Sequence, residues 1–277
     1  MISARLLVPL ALLLSPAVAA AQDNACPHFF PDGTPPAFTN PRLAQGAVLL
    51  CNDGFAVTAS PVTRGALWSA ERLTRASVDA ARRTPRENRF HPDARLPPEG
   101  RAELADYARS GYDRGHMAPS GDMPDVQSQQ QTFSLANMVP QAPALNRGPW
   151  ERIESAVRRL ARRRGELYVV TGPAFTGTQI DTIGDNRVLV PTAIWKAVYD
   201  SRTLAAGAYL CSNTDHPTCQ VLGIDALAGQ VGIDPFPGVP PTVRARLLPL
   251  RLSNDSAGGP RRPVQPRREY GLAPQQP

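Results

Sequence analysis

The sequence is poor in the features that mark several large classes of protein. After its first 21 residues it has no apolar run long enough to cross a bilayer, which excludes a helical membrane protein. Its four cysteines show no CxxC spacing, which argues against a zinc site, and there is no internal repeat. Lysine occurs only at Lys196. What remains is a chain of 277 residues, 42% hydrophobic and 19% charged, that is expected to fold as a globular protein.

The first residues resemble a secretory signal peptide. Arg5 supplies the positive charge, residues 6–14 form the apolar stretch, and small residues at 17–21 offer a cleavage site. The apolar stretch is too short to span a membrane. We therefore expect residues 1–21 to be removed and the mature protein to be periplasmic or secreted, with no membrane association after cleavage.

The cysteine count agrees with an oxidising compartment. Cys26, Cys51, Cys211 and Cys219 all follow the predicted signal peptide, and an even number suits two disulfides. Four cysteines allow three pairings. The pairs closest in sequence, Cys26–Cys51 and Cys211–Cys219, are favoured because their closure needs no special topology.

The formal charge is +6. Of the 30 Lys and Arg side chains, all but Lys196 are arginines. Arginine forks suit phosphate groups, so a polyanionic partner fits this composition. Coding bias explains the same composition equally well. Residues 251–277 are predicted to be a disordered, basic, Pro-rich tail, which either adds loose attraction to nucleic acid or has no function.

The chain is divided into four segments: a signal peptide at 1–21, a lead containing Pro and Cys at 22–50, a main domain at 51–250 and the tail at 251–277. Within the main domain, residue patterns predict strands at 55–62, 66–70, 167–173, 188–190 and 194–199. A charged loop is expected at 84–100 and a helical turn at 104–110. The order of strands and helices shows no regular βαβ alternation and favours an α+β fold.

One helix is predicted strongly, over residues 150–164. Trp150, Ile153, Val157 and Leu160 recur at helical spacing, so Trp150 is expected in the core. Pro149 suits the first helical position, and Gly165 is a plausible stop after three arginines.

Two segments contain the residue types that phosphodiester hydrolysis needs. They are residues 112–119, YDRGHMAP, and residues 137–154, NMVPQAPALNRGPWERIE. The reaction requires an activated water and neutralisation of charge on the phosphoryl oxygens. A neutral histidine such as His116 can activate the water, and an asparagine oxygen such as that of Asn146 can be one ligand of a hard cation.

These segments together resemble the DNA/RNA non-specific endonuclease family, the ββα-metal nucleases. The similarity extends to TRGALW at 63–68, VVTGP at 169–173, VPT at 190–192 and WK at 195–196. It covers most of the chain from Cys51 to Leu250. The resemblance implies an α+β fold with a central antiparallel or mixed sheet flanked by helices and a ββα-metal motif.

The resemblance implies the following roles on the side of the attacking water. His116 matches the general base, while Arg114 and Arg64 match arginines that stabilise the phosphate or its transition state. Asn137 matches an active-site asparagine with a supporting role. Asp113 is expected to anchor the hairpin that carries His116. No catalytic role is expected for the other histidines, His28, His91 and His216.

On the metal side, Asn146 matches the ligand of Mg²⁺, with Mn²⁺ as a substitute and waters in the other positions. Glu154 matches a glutamate that holds metal-bound water, and Arg158 orients Glu154 or binds phosphate. A solvent-facing pair of Glu154 with Arg158 would give the same spacing.

The implied activity is cleavage of DNA and RNA, single or double stranded, to 5′-phosphate and 3′-hydroxyl ends. Mg²⁺ would stabilise the transition state and the leaving O3′. The resemblance leaves a homodimer open. Two other functions compete with it: a catalytically silent extracellular protein that binds nucleic acid, and a secreted phosphodiesterase for small esters. Substrate length distinguishes them: a nuclease cuts within a plasmid, a small-ester enzyme prefers model diesters, and a binding protein cleaves neither.

Overall fold

A seven-stranded antiparallel sheet runs through the centre of the computed structural model, which describes residues 26–252. The order of its strands is β12-β11-β10-β7-β4-β3-β2. Their bounds are β2 Val48–Cys51, β3 Ala56–Ser60, β4 Gly65–Thr74, β7 Glu166–Ala174, β10 Ala193–Asp200, β11 Ala205–Ser212 and β12 Cys219–Leu222. The α+β class with a central antiparallel sheet is confirmed.

Three two-stranded ribbons lie outside this sheet. They are β1 with β13, β5 with β6 and β8 with β9. Their bounds are β1 Ala37–Phe38, β5 Asp113–His116, β6 Met138–Gln141, β8 Thr182–Ile183, β9 Val188–Leu189 and β13 Ile233–Asp234. The β5–β6 ribbon carries His116 and its neighbours.

The predicted strands fall in the right places, but the structure extends several of them and adds others. β4 runs to Thr74 and β10 to Asp200, well beyond the predicted ends. β11 was not predicted, because its sequence AAGAYLCS is mostly small residues with weak strand preference. Its pairing with β10 over eight residue pairs fixes it as a strand.

Helices cover both faces of the sheet. Their bounds are α1 Arg75–Ala81, α2 Leu104–Tyr107, α3 Val126–Gln131, α4 Pro143–Leu145, α5 Glu151–Arg164, α6 Ile224–Val231 and α7 Pro241–Arg244. Short 3₁₀ segments occupy Pro27–Phe29, Pro31–Gly33, Pro98–Gly100, Ser120–Asp122 and Leu135–Asn137. None of the helices within residues 26–252 is both long and apolar enough to span a membrane.

The predicted helix at 150–164 is correct except at its start. Trp150, Ile153 and Val157 are buried in the core, as predicted. Pro149 is not at the first helical position: it lies inside a π-type turn, Asn146–Trp150, and α5 begins at Glu151. Gly148, with φ −116° and ψ −114°, interrupts the helical path there. Gly165 ends α5 with a positive φ of 93°, as its sequence position indicated.

The two faces of the sheet have separate cores. Leu73 of β4 packs in the core beneath α5, whereas Trp68 and Ala70 of the same strand face the core covered by α6. Phe29 and Phe30 of the lead are buried against this second core. Apart from Leu50, which belongs to the first core, the described part of the lead therefore packs on the face opposite α5 and the β5–β6 ribbon.

Both disulfides form as predicted, Cys26–Cys51 and Cys211–Cys219, and no cysteine of the described residues is free. The first ties the lead to the end of β2, and the second links β11 to β12. The predicted signal peptide and nearly all of the predicted basic tail lie outside the described residues.

Candidate active site

The β5–β6 ribbon places His116 at the end of a short strand, paired with Met138. The next residue, Met117, donates its backbone N–H to the carbonyl of Asn137 at 2.9 Å. Gly115 permits the close approach of Gln141, whose side chain would lie 2.2 Å from any Cβ at that position. The glycine of the DRGH motif therefore serves packing within the ribbon.

Asn137 holds the segment that follows His116. Its Oδ1 accepts hydrogen bonds from Ser69 Oγ at 2.7 Å and from the Ala118 backbone N–H at 2.9 Å. Its Nδ2 donates to the carbonyls of Ala118 and Thr132. The side chain is fully buried and uses its whole hydrogen-bonding capacity inside the protein. None of its side-chain hydrogen-bonding groups is left over for a ligand.

The imidazole of His116 lies among aromatic rings and one cation. Its ring centroid is 5.1 Å from that of Phe133 and 5.8 Å from that of Phe90. Burial, followed by the positive charge of Arg86, lowers the pKa of His116 to about 3. Nε2 is buried and has no hydrogen-bond partner among the described residues. The neutral imidazole therefore predominates at physiological pH and can accept a proton.

Asn146 lies next to Asp113, the first residue of β5. Its Nδ2 donates to Asp113 Oδ2 at 2.9 Å, and Arg147 donates to the same carboxylate through Nε at 2.8 Å. Asp113 thus connects β5 to the turn before α5. Because the amide nitrogen is held in this way, the Oδ1 of Asn146 remains available to a ligand.

Glu154 and Arg158 lie one turn apart on α5, but no hydrogen bond joins their side chains. Arg158 donates instead to Asp122 at 2.8 Å and to Ser155 at 2.9 Å. Burial raises the pKa of the Glu154 carboxyl to about 7, an effect that Lys196 and Arg158 partly offset. A half-buried carboxylate in this position suits a cation or its bound water better than open solvent.

Arg114 has no carboxylate partner within the described residues. Its Cζ lies 4.7 Å from the centroid of the Phe90 ring, and its Nε is buried without a hydrogen bond. Arg64 lies elsewhere: its Nη2 donates to the carbonyl of Glu99 at 3.2 Å, and it does not line the groove described next. The expected contact of Arg64 with the phosphate stays a prediction.

One groove of about 650 Å³ brings five of the seven predicted site residues together. Asn137 and Arg64 are outside its lining, as are His28, His91 and His216. The five are His116, Arg114, Asn146, Glu154 and Arg158, and the groove is also lined by Arg86, Phe90, Tyr112, Asp113, Arg147 and Glu151.

Arg86 and Phe90 were not predicted from the sequence. They lie in the stretch expected to be a charged loop, and no local spacing there indicates that either side chain faces His116. A clue existed only in residue type, because a phosphate-binding groove favours additional arginines.

The groove suits a cation that keeps most of its waters. The described residues contain no cluster of three or more His, Cys, Asp and Glu side chains that could hold a metal. The Asn146 oxygen and the nearby Glu154 carboxylate are hard oxygen donors, the type that Mg²⁺ and Mn²⁺ bind with few protein ligands.

Comparison with known proteins agrees with this geometry. The model of the DNA/RNA non-specific endonuclease family matches residues 34–242. The chain belongs to this family. The family includes metal-dependent nucleases. The resemblance noted from the sequence is confirmed.

Similar members of the non-specific endonuclease family come from animals and fungi. Human mitochondrial endonuclease G is 38% identical over 170 residues, covering 57% of this chain and 55% of that protein. Nuclease C1 of Cunninghamella echinulata var. echinulata is 33% identical over 190 residues, covering 64% of this chain and 75% of that protein. This chain thus spans little more than half the length of human endonuclease G.

A solved structure supports the shared fold. The crystal structure of an EndoG/EndoGI complex aligns with a TM-score of 0.59 and 27% sequence identity. The alignment covers 67% of this chain and 84% of that chain.

Proposed function

We propose that this chain is a metal-dependent endonuclease that hydrolyses the phosphodiester bonds of DNA and RNA without sequence specificity. One observation carries the proposal. A neutral histidine, an asparagine oxygen, a half-buried carboxylate and an arginine without a carboxylate partner line a single groove in a member of this family. These are the groups that in-line hydrolysis of a phosphodiester requires.

His116 acts as the general base. Its imidazole accepts a proton from the water that attacks phosphorus, and the low pKa of His116 keeps it neutral and ready to do so. Asn137 holds the backbone just after His116 through its bonds to Ala118 and so fixes where the ring lies.

The arginines divide between binding and positioning. Arg114, which has no carboxylate partner among the described residues, binds a phosphate oxygen and stabilises the charge that develops in the transition state. Arg158 is paired with Asp122 and maintains the wall of the groove beside Glu154. Arg64 would contact the phosphate only after it leaves the carbonyl of Glu99.

Asn146 and Glu154 would hold Mg²⁺ or Mn²⁺, the first through Oδ1 and the second through a bound water. When bound, the ion supplies neutralisation of the phosphoryl oxygens and assistance to the departing O3′. Attack by water breaks the bond between phosphorus and O3′, and the departing O3′ takes a proton from solvent, which gives 5′-phosphate and 3′-hydroxyl ends.

The proposed chemistry involves only the phosphate. None of these residues is assigned to a base edge or to the 2′-hydroxyl, which is why cleavage is expected on DNA and RNA alike. The two disulfides support an oxidising compartment, and we propose a periplasmic or secreted location for this chain.

Plasmid cleavage tests the function. Purified, oxidised protein is incubated with supercoiled plasmid in Mg²⁺ or in EDTA, beside His116→Ala, Asn146→Ala and the remote variant His216→Ala. Nicked and then linear DNA should appear only with the metal, in the wild type and His216→Ala. A plasmid that stays intact but shifts on a gel would indicate a binding protein, and cleavage of small diesters alone would indicate a small-ester enzyme.

A further inference from the structure

A second groove, of about 840 Å³, runs along α5 from Glu151 to Arg164. Glu151 lines both this groove and the proposed active site, so the two grooves are neighbours at the start of α5. Glu151 is also its sole acidic lining residue. Its basic lining residues are Arg152, Arg159, Arg163, Arg164 and Arg251. We name it the arginine groove.

The arginines of α5 divide into those used in the fold and those free for a ligand. Arg158 pairs with Asp122, Arg162 with Asp79 and Arg164 with Asp200. Arg159 and Arg163 are exposed and have no carboxylate partner among residues 26–252. These two charges are therefore available to an anion in the arginine groove.

The spacing suits a nucleic-acid backbone. Arg159 and Arg163 are four residues apart and lie on one face of the helix, roughly 6 Å along its axis. The distance along α5 from Glu151 to Arg163 is roughly 18 Å, the length over which one strand of a duplex presents about five phosphates. The groove thus matches a run of phosphates that continues from the active site.

We propose that the arginine groove binds the phosphate backbone of the substrate several nucleotides away from the cleaved bond. The inference rests on the proposed function, because the strand that occupies the groove is the one that enters the active site. The position of the groove next to that site favours nucleic acid over other polyanions. Contacts of this type increase affinity for long substrates and contribute nothing to short ones.

The test measures binding separately from cleavage. A labelled duplex of about 30 base pairs is titrated in EDTA with the wild type, with Arg159→Gln/Arg163→Gln and with Arg42→Glu, and anisotropy is recorded over a series of salt concentrations. Arg42 is an exposed arginine near β1, and its reversal changes the net charge by the same two units as the double substitution. Circular dichroism verifies the fold of each variant.

The double variant should bind the duplex about tenfold more weakly at 0.1 M salt. The slope of log Kd against log salt concentration should become shallower by the amount expected for about two phosphate contacts. Hydrolysis of a tetranucleotide, too short to reach Arg163, should be unchanged. An equal loss of duplex affinity in the double variant and in Arg42→Glu would overturn the proposal, since net charge alone would then explain the effect. A loss of tetranucleotide hydrolysis in the double variant as large as its loss of duplex affinity would also overturn it.

Two further outcomes are distinguishable. If the double variant loses binding to vesicles of anionic lipid while duplex binding is unchanged, the groove serves a membrane and the proposal is wrong. If the wild type cleaves no substrate, the proposed function fails, but the anisotropy comparison still decides whether the arginine groove binds nucleic acid.

Discussion

At the scale of single residues, the environment of His116 determines how the proposed base behaves. The ring is packed by Phe90 and Phe133, and the positive charge that acts on it is that of Arg86. Both burial and this charge disfavour the imidazolium form, so the base stays active at a pH where an ordinary histidine would be protonated.

Replacing Arg86 with Gln should therefore move the acidic limb of the pH profile. Removal of the positive charge raises the pKa of His116, so the fraction of neutral base falls at a higher pH than in the wild type. The limb of kcat/KM that reports His116, near pH 3 in the wild type, is expected to shift upward by several tenths of a pH unit, because one nearby positive charge is removed. The measurement is cleavage of a fluorogenic oligonucleotide from pH 2.5 to 8 in saturating Mg²⁺, a range that covers this limb and separates it from titration of Glu154 near pH 7.

Arg89→Gln is the matched control. Arg89 lies in the same loop, is exposed and pairs with Glu87. It does not line the groove. Its profile should coincide with that of the wild type. A uniform loss of kcat/KM in Arg86→Gln, with no displacement along the pH axis, would mean that Arg86 binds substrate without acting on His116.

Asn137 is the second residue whose role is testable alone. Asn137→Ala leaves the Ala118 N–H, the Ala118 and Thr132 carbonyls and the Ser69 hydroxyl without their partner in a dry interior. We expect a loss of about 3 kcal/mol in the free energy of unfolding, as for unsatisfied buried polar groups. Urea unfolding measures it, followed by kcat at a temperature where the variant is folded.

Asn40→Ala provides the comparison, because Asn40 is exposed and its side chain accepts one bond, from the Arg42 N–H. Its stability should change little. If Asn137→Ala is as stable as Asn40→Ala, the buried network does not hold the segment after His116, and the positioning role fails.

At the scale of elements, the segment between α1 and α2 is held mainly by side chains, because it has little regular secondary structure. Asp93 accepts bonds from Arg95 and from Ser134 Oγ, the latter at 2.7 Å. This connection ties the segment that carries Arg86 and Phe90 to the residues just before Asn137.

The stability provided by Asp93 should depend on pH. Burial opposes its ionisation, but the bonds from Arg95 and Ser134 outweigh burial and lower the pKa of Asp93 from 3.8 to about 2. Because the folded pKa is depressed, the stabilisation is complete well above pH 3.8 and is lost as pH falls toward 2. Asp93→Asn should cost about 2 kcal/mol at pH 7 and almost nothing at pH 2.

Urea unfolding of Asp93→Asn, the wild type and the exposed turn variant Asp185→Asn over this pH range measures the effect. Asp185→Asn should track the wild type throughout. A cost for Asp93→Asn that stays constant from pH 7 to pH 2 would show that the lost packing, and not the charge, explains the change.

At the scale of the whole molecule, the two disulfides contribute different amounts to the free energy of unfolding. Cys26–Cys51 closes a separation of 25 residues and anchors the lead on the core behind the sheet, whereas Cys211–Cys219 closes a separation of 8 within one pair of strands. Loop entropy gives about 3.5 kcal/mol for the first and about 2.5 kcal/mol for the second.

We therefore expect Cys26→Ser/Cys51→Ser to lower the free energy of unfolding more than Cys211→Ser/Cys219→Ser does. Urea unfolding of the two double variants tests the order. Since the lead packs on the face opposite the groove, both variants should cleave plasmid at the wild-type rate when folded. A faster rate after removal of Cys26–Cys51 would mean that the lead gates the active site.

The sequence by itself determined the family, the sheet-and-helix class and the helix up to Gly165, and among three possible pairings it favoured the two disulfides that the structure shows. Those features depend on local patterns: a helical period in Trp150, Ile153 and Val157, a glycine stop, short cysteine separations and two adjacent motifs. The residues within each motif are close in sequence, so His116 with Arg114 and Asn146 with Glu154 needed no tertiary information.

Only the tertiary structure decided which side chains face the groove. It brought Arg86 to His116 from a loop without any pattern, placed Asn137 in a dry network and directed Arg64 to the Glu99 carbonyl. It also revealed that Arg159 and Arg163 of α5 line a groove next to the site. The physical reason is that each of these outcomes depends on partners distant in sequence, and burial and hydrogen bonding between such partners are set by packing.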